Sequence, residues 1–200
     1  MFFTGSLICA NILSLILAVV LSWYFGGHDF RMHPDRLIAS FISYSEKSVY
    51  REGSFKEGVI ALSLNLAFVF GVSALLFYFI KNAGILWYFT FSTLVIYWLI
   101  NPRFTKSKSD SNIAINYMNY ALPVIVFSFL FGPVGALLYR TIPLTAHMNP
   151  VTIDKYSEFG EPAEKTFTVL SDAALLLVPL IIYLSSAMRR LIKYIKSLRP

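Results

Sequence analysis

Five long apolar runs, separated by polar connections, dominate the hydropathy pattern of this chain. Each run has close to the roughly 18–20 residues that an α-helix needs to cross a bilayer. Their residue ranges are 7–25, 59–80, 84–100, 121–138 and 169–188. We therefore predict an all-α, polytopic membrane protein with about five transmembrane helices, formed as one integral membrane domain over residues 1–200.

Two other segments alternate apolar and charged residues at helical spacing. His33-Pro34-Asp35 predicts a helix start, because proline suits the first helical position and an acid favours the positive end of the helix dipole. The helix predicted from it covers about residues 35–51 and has Leu37 and Ile38 on its apolar face. Residues 189–198 interleave basic and apolar residues in the same way. We predict that both helices lie along the membrane interface.

The composition excludes an ordinary soluble protein. Hydrophobic residues make up 56% of the chain and charged residues 14%, and the mean hydropathy is +0.63. The first run has no preceding Lys or Arg and ends in bulky residues, so we expect a retained helix rather than a cleaved signal peptide. The bilayer is thus the first partner that the sequence predicts.

The net charge of +6 is explained by membrane topology, so we predict no nucleic-acid partner. With the C-terminal tail inside, 13 of the 17 Lys and Arg residues lie on the cytoplasmic face, which predicts an N-out, C-in orientation. This placement puts the connection from residue 139 to 166 outside. Cys9 is the single cysteine, and the three histidines are scattered, so we predict neither a disulfide framework nor a metal site.

The end of the fourth run carries the most informative local pattern, FGPVGALLYR (residues 131–140). Pro133 interrupts helical hydrogen bonding, and Gly132 and Gly135 allow another backbone to approach closely. Tyr139 and Arg140 lie where the apolar run ends. The pattern is typical of a kinked membrane helix with an interfacial anchor, and a functional site is the alternative. Asp172 is a second candidate, because a carboxylate within a span is costly unless it faces a cavity or a partner.

Two stretches together resemble the cobalamin-biosynthesis CobD/CbiB membrane family, whose distant relatives include the AmpE signalling modulators. The first is HPDRLIASFISYSEKSVYR (residues 33–51), similar to that family's His-Pro start and following amphipathic helix. The second is FGPVGALLYR, followed at similar spacing by KYSEFG (residues 155–160). The resemblance covers both ends of the chain and leaves out its middle.

This resemblance implies a bacterial inner-membrane protein of the corrinoid pathway, in which the family's enzymes form an amide between adenosylcobyric acid and aminopropanol or its phosphate with ATP. ATP and Mg²⁺ would then be the cofactors and a corrinoid the substrate. It implies catalytic roles for His33, Arg140 and Asp172. The substrate-binding residues that it implies are Tyr139, Tyr156, Phe159 and Gly160.

The chain departs from the family where carboxylates are expected. The run after Tyr139-Arg140 reads TIPLTA, without the family's Asn and acid, and Asp172 alone stands for a later acidic pair. An ATP-dependent ligase uses carboxylates to hold Mg²⁺. Three hypotheses follow: a divergent adenosylcobinamide(-phosphate) synthase, a non-catalytic AmpE-like modulator or scaffold, and a small transporter with few polar residues in its path. The sequence leaves homo-oligomerisation open.

Overall fold

The computed structural model describes residues 5–25, 33–50, 54–100, 113–146 and 157–197, and these residues form six α-helices. Their bounds are α1 Gly5–Phe25, α2 Pro34–Val49, α3 Phe55–Ala83, α4 Ile85–Ile100, α5 Ile113–Ala146 and α6 Ser157–Ser197. The prediction of an all-α architecture is confirmed.

The connection between α3 and α4 is a single glycine. The helix continues through Lys81, where a reversal was expected, and ends at Ala83. Gly84 has φ 136° and its amide donates to the Lys81 carbonyl, so the chain turns there and α4 begins at the next residue. A side chain is strained at this φ, which is why the turn falls at the glycine.

The amphipathic helix α2 begins at Pro34, as the sequence predicts. Ile38 and Ile42 are buried against the rest of the molecule. Leu37 was expected on the same face but is 70% exposed. It is one position before Ile38, a rotation of about 100° around the helix, which carries its side chain to the outer surface.

Helix α5 does not run straight: it folds back on itself at Gly132. This residue has φ 68° and ψ −160°, conformations that break the helix into a first arm (residues 113–131) and a second arm (residues 133–146). Twenty positions of straight helix would separate Tyr120 from Arg140 by about 30 Å. The Arg140 guanidinium carbon is instead 5.7 Å from the centre of the Tyr120 ring. The two arms are therefore antiparallel neighbours, and we call this unit the α5 hairpin.

Other contacts between the arms agree with this geometry. The rings of Phe127 and Tyr139 are stacked with centroids 5.2 Å apart. A Cβ added at Gly135 would lie 2.6 Å from the Phe127 carbonyl oxygen and 2.5 Å from the Phe131 Cβ. Gly135 was expected to allow the close approach of another helix. The segment that approaches it is the first arm of its own hairpin. Gly132, at the tip, lies against the Asn11 carboxamide of α1.

The predicted boundaries around residue 139 are wrong. The fourth run was expected to end at residue 138 and to be followed by a loop to residue 166. Instead α5 continues to Ala146 and α6 begins at Ser157. The helix continues because its polar residues have partners within the fold: Thr141 and Thr145 donate to the carbonyls four residues back, and Arg140 pairs with α2.

Within the described residues, three helices have the length and apolar composition to cross a membrane, over Leu7–Phe25, Phe55–Ala83 and Tyr120–Ala146. Ile85–Ile100 is a shorter apolar helix. The third of the long segments contains the reversal of the α5 hairpin, so it is not one straight helix. Large apolar side chains of these helices are widely exposed, as expected of a surface covered by hydrocarbon. The chain associates with a lipid bilayer.

The fifth predicted run, residues 169–188, belongs to the single helix α6, which also includes most of the basic tail. Its N-terminal part packs tightly on α3. Gly58 of α3 touches the backbone carbonyl of Phe159, and a Cβ added there would also lie 3.1 Å from the Pro162 ring. This glycine sets how closely the two helices approach.

Candidate functional site

The start of α2 is fixed by His33, which caps the helix. The imidazole Nδ1 accepts a hydrogen bond from the backbone N–H of Asp35 at 3.2 Å, and Pro34 occupies the first helical turn. The other ring nitrogen, Nε2, is 3.0 Å from the carbonyl oxygen of Trp98 at the end of α4. A carbonyl only accepts, so in this hydrogen bond Nε2 is the donor. His33 thereby ties the start of α2 to the end of α4.

Asp35 and Arg140 form a buried ion pair between α2 and the second arm of the α5 hairpin. Arg140 Nη2 donates to Asp35 Oδ2 at 2.8 Å, and Nε donates to both carboxylate oxygens at 3.1 and 3.2 Å. Each side chain is only 2% exposed. This is a two-pronged guanidinium–carboxylate contact, the strongest form of such a pair. It joins residues 105 positions apart in the sequence.

The face of Tyr120 completes the surroundings of Arg140. Its ring centre is 5.7 Å from the guanidinium carbon, within range of a cation–π contact. Tyr120 also stacks on Phe167 of α6, with ring centroids 5.3 Å apart. The arginine is therefore enclosed by a carboxylate, an aromatic face and the packing of three helices.

Tyr139 points away from this pair, towards α6. Its hydroxyl is 2.9 Å from the Ser171 hydroxyl, and the residue is 1% exposed. The consecutive residues Tyr139 and Arg140 thus attach one helical turn to two different neighbours. This turn fixes α5 between α2 and α6.

A second polar contact joins α2, α3 and α5. The Ser45 hydroxyl is 2.6 Å from Asn65 Oδ1, and Asn65 Nδ2 is 3.5 Å from the Thr145 hydroxyl. All three side chains are buried. Asn65 was expected to serve helix packing, and it lies at the centre of this contact.

The remaining predicted site residues are placed differently. Phe159 is buried and its ring meets that of Tyr50 edge to face, with centroids 5.4 Å apart. A Cβ added at Gly160 would be 3.4 Å from the Ala146 carbonyl oxygen. Asp172 is exposed on α6. Tyr156 lies outside the described residues.

The structure therefore brings the His33 and Arg140 stretches together and leaves Asp172 on the surface. Asp35 is the central residue that the sequence reasoning assigned only to the helix dipole. The signal was its position, two residues after His33 inside one of the two stretches that carry the resemblance. Its partner was not visible, because nothing local links it to residue 140.

The charged and polar groups of this site are paired with one another. The positive charge of Arg140 is balanced by Asp35, and His33 uses both ring nitrogens in hydrogen bonds. Among the described residues, no group of three or more His, Cys, Asp or Glu side chains is placed to hold a metal ion. Comparisons with protein-family models, curated proteins and solved structures find no match to this chain.

Proposed function

We propose that this chain is a bacterial inner-membrane protein of CobD/CbiB-like architecture that acts as a non-catalytic, AmpE-like modulator or scaffold. The observation that carries the proposal is the closed Asp35–Arg140 pair. It lies where the two stretches that carry the resemblance meet, so these stretches have a shared structural role. That role is to lock α2 onto the α5 hairpin.

An anionic substrate that used Arg140 would have to displace Asp35. The carboxylate would then be buried without its counter-charge, and uncoupling a buried pair in this way costs about 3–5 kcal/mol. A substrate contact of ordinary strength does not offset that loss, because a hydrogen bond to a charged group contributes only about 1.5–3 kcal/mol. Arg140 is thus better suited to holding the fold than to binding a ligand.

The divergent synthase is the second candidate, and one observation favours it. The charge count placed residues 140–160 on the opposite membrane face from cytoplasmic ATP. In the orientation that we propose below, Arg140 and its partner Asp35 lie on the cytoplasmic side instead. A corrinoid site with ATP and Mg²⁺ would therefore meet no topological obstacle.

Genetic complementation separates the two functions. We expect the wild-type chain to fail to rescue a strain that lacks the family's synthase and grows on cobyric acid, because its Arg140 is already paired. Membrane expression is checked by immunoblot, and the strain's own synthase in the same vector is the positive control. Rescue by the wild-type chain, lost in Arg140→Lys, would replace the scaffold with the enzyme.

The orientation that we propose keeps the N-terminus outside and corrects the placement of residues 139–166. Because Asp35 and Arg140 are in contact, we place the second arm of the α5 hairpin at the same membrane face as the start of α2. That face carries most of the Lys and Arg outside the C-terminal tail, so we place it in the cytoplasm. The C-in part of the prediction then holds only if α6 makes no net crossing.

Cysteine accessibility tests this orientation. In a Cys9→Ala background, Lys106→Cys and Lys155→Cys are expected to react with a membrane-impermeant maleimide from the same, cytoplasmic, face. Lys193→Cys in the same background reports the face of the tail. Labelling of positions 106 and 155 from opposite faces would contradict the hairpin and restore the simple five-span topology.

A further inference from the structure

An apolar cavity of about 480 Å³ lies between the α5 hairpin, α3 and α6. It is walled by both arms of the hairpin, by α3 through Ala67 and Phe70, and by α6 through Leu170. Gly135 lines it and contributes no side chain. The cavity exists because the helix folds back instead of filling this space.

The walls of the cavity are apolar. All the residues that line it are apolar except Tyr139, and the Tyr139 hydroxyl is already in a hydrogen bond with Ser171. An apolar cavity of about 150 Å³ already stays dry and takes up a small hydrocarbon. This cavity is about three times as large, in the range of sites that hold an organic ligand. Walls of this kind fit a hydrocarbon occupant.

The mouth of the cavity opens at the outer surface of the protein. Phe70 and Phe131, both lining residues, are 54% and 60% exposed. They belong to Phe55–Ala83 and Tyr120–Ala146, two of the segments with membrane-spanning composition. In a bilayer such surfaces are covered by lipid tails, so the mouth opens onto acyl chains.

We propose that this cavity is a binding site for one acyl chain of a membrane phospholipid. The chain enters between Phe70 and Phe131 and lies against Leu138 of the hairpin and Leu170 of α6, two partly buried residues of the wall. It fills the space between the hairpin arms and α3, so the lipid completes the packing of the α5 hairpin. The proposal does not depend on which function the protein has.

Photo-crosslinking tests the site in the full chain, reconstituted at one copy per nanodisc. The probe is a phosphatidylcholine with a diazirine at the end of one acyl chain, and adducts are mapped by mass spectrometry. We expect adducts at Leu138 and Leu170, which are partly buried and line the cavity, and we call these the inner adducts. Adducts at Phe70 and Phe131 report contact with the bulk bilayer in the same sample.

Two variants make the test specific. Ala67→Trp fills the cavity from α3 and is expected to abolish the adducts at Leu138 and Leu170 while those at Phe131 persist. Leu75→Trp adds the same ring at a 58% exposed position of α3 that does not line the cavity, and is expected to leave both sets unchanged. Phe70→Ala, which widens the mouth, is expected to increase the inner adducts.

Three results would contradict the lipid-binding proposal. Adducts confined to Phe70 and Phe131 in the wild-type chain would overturn the proposal, since the cavity would then be closed to lipid. Inner adducts that survive Ala67→Trp in a chain with unchanged circular dichroism would also overturn it. Inner adducts that are lost when several copies share one nanodisc would assign the cavity to a neighbouring copy instead of a lipid.

Discussion

Neutralising either member of the Asp35–Arg140 pair is expected to lower the free energy of unfolding by about 3–5 kcal/mol. Asp35→Asn leaves the guanidinium buried without its counter-charge, and Arg140→Gln does the same to the carboxylate. Both side chains are 2% exposed, so solvent cannot compensate. The measurement is unfolding by SDS titration in mixed micelles, followed by circular dichroism.

The exposed pair between Glu161 and Lys165 is the matched control. It has a side-chain contact of 2.6 Å, but its members are 42% and 67% exposed. Exposed pairs of this kind contribute about 0.2–1 kcal/mol. Glu161→Gln is therefore expected to change the unfolding free energy by less than about 1 kcal/mol. Equal costs for the buried and the exposed pair would show that burial of Arg140 is not what makes its contact important.

The second large effect is expected at Gly58, where α3 touches the backbone of α6. Gly58→Ala places a Cβ against the Phe159 carbonyl, and a backbone atom cannot move aside as a flexible side chain does. We expect a loss of about 1–3 kcal/mol, the usual range for overpacking. Folded yield after detergent extraction and SDS unfolding both measure it.

Gly71 provides the control on the same helix. A Cβ added there has no heavy atom of a neighbouring element within 4 Å, so Gly71→Ala raises the helix propensity without a clash. We expect it to stabilise by about 0.5–1 kcal/mol. If the two alanine variants were equally stable, α3 and α6 would not be in backbone contact at Gly58.

The fold class was predictable because hydropathy records whether a segment is covered by hydrocarbon. The fold-back of α5 was not. The run from 121 to 138 has the length and composition of a span, and Gly132-Pro133 predicts a kink without stating its angle. The angle is set by tertiary contacts: Gly132 against Asn11, and Arg140 against Asp35. A sequence pattern describes only residues that are close along the chain, so it cannot predict these tertiary contacts.

The candidate site was predictable in part. His33 and Arg140 were selected from short motifs, and the structure places both stretches together. The proposed roles in proton transfer and anion binding remain predictions. Asp35 was interpreted as a residue that favours the helix dipole, which it does, but its main contact is 105 positions away. Local reasoning found the helix that carries it and missed the partner.

The central claim is that α2 and the α5 hairpin are locked by the buried pair, and a double-mutant cycle tests it most directly. The cycle compares Asp35→Asn, Arg140→Gln and the double variant by SDS unfolding. The double variant leaves no unpaired charge, so it is expected to be at least as stable as either single variant, which corresponds to a coupling energy of about 3–5 kcal/mol. A double variant whose loss equals the sum of the two single losses within about 0.5 kcal/mol would contradict the lock.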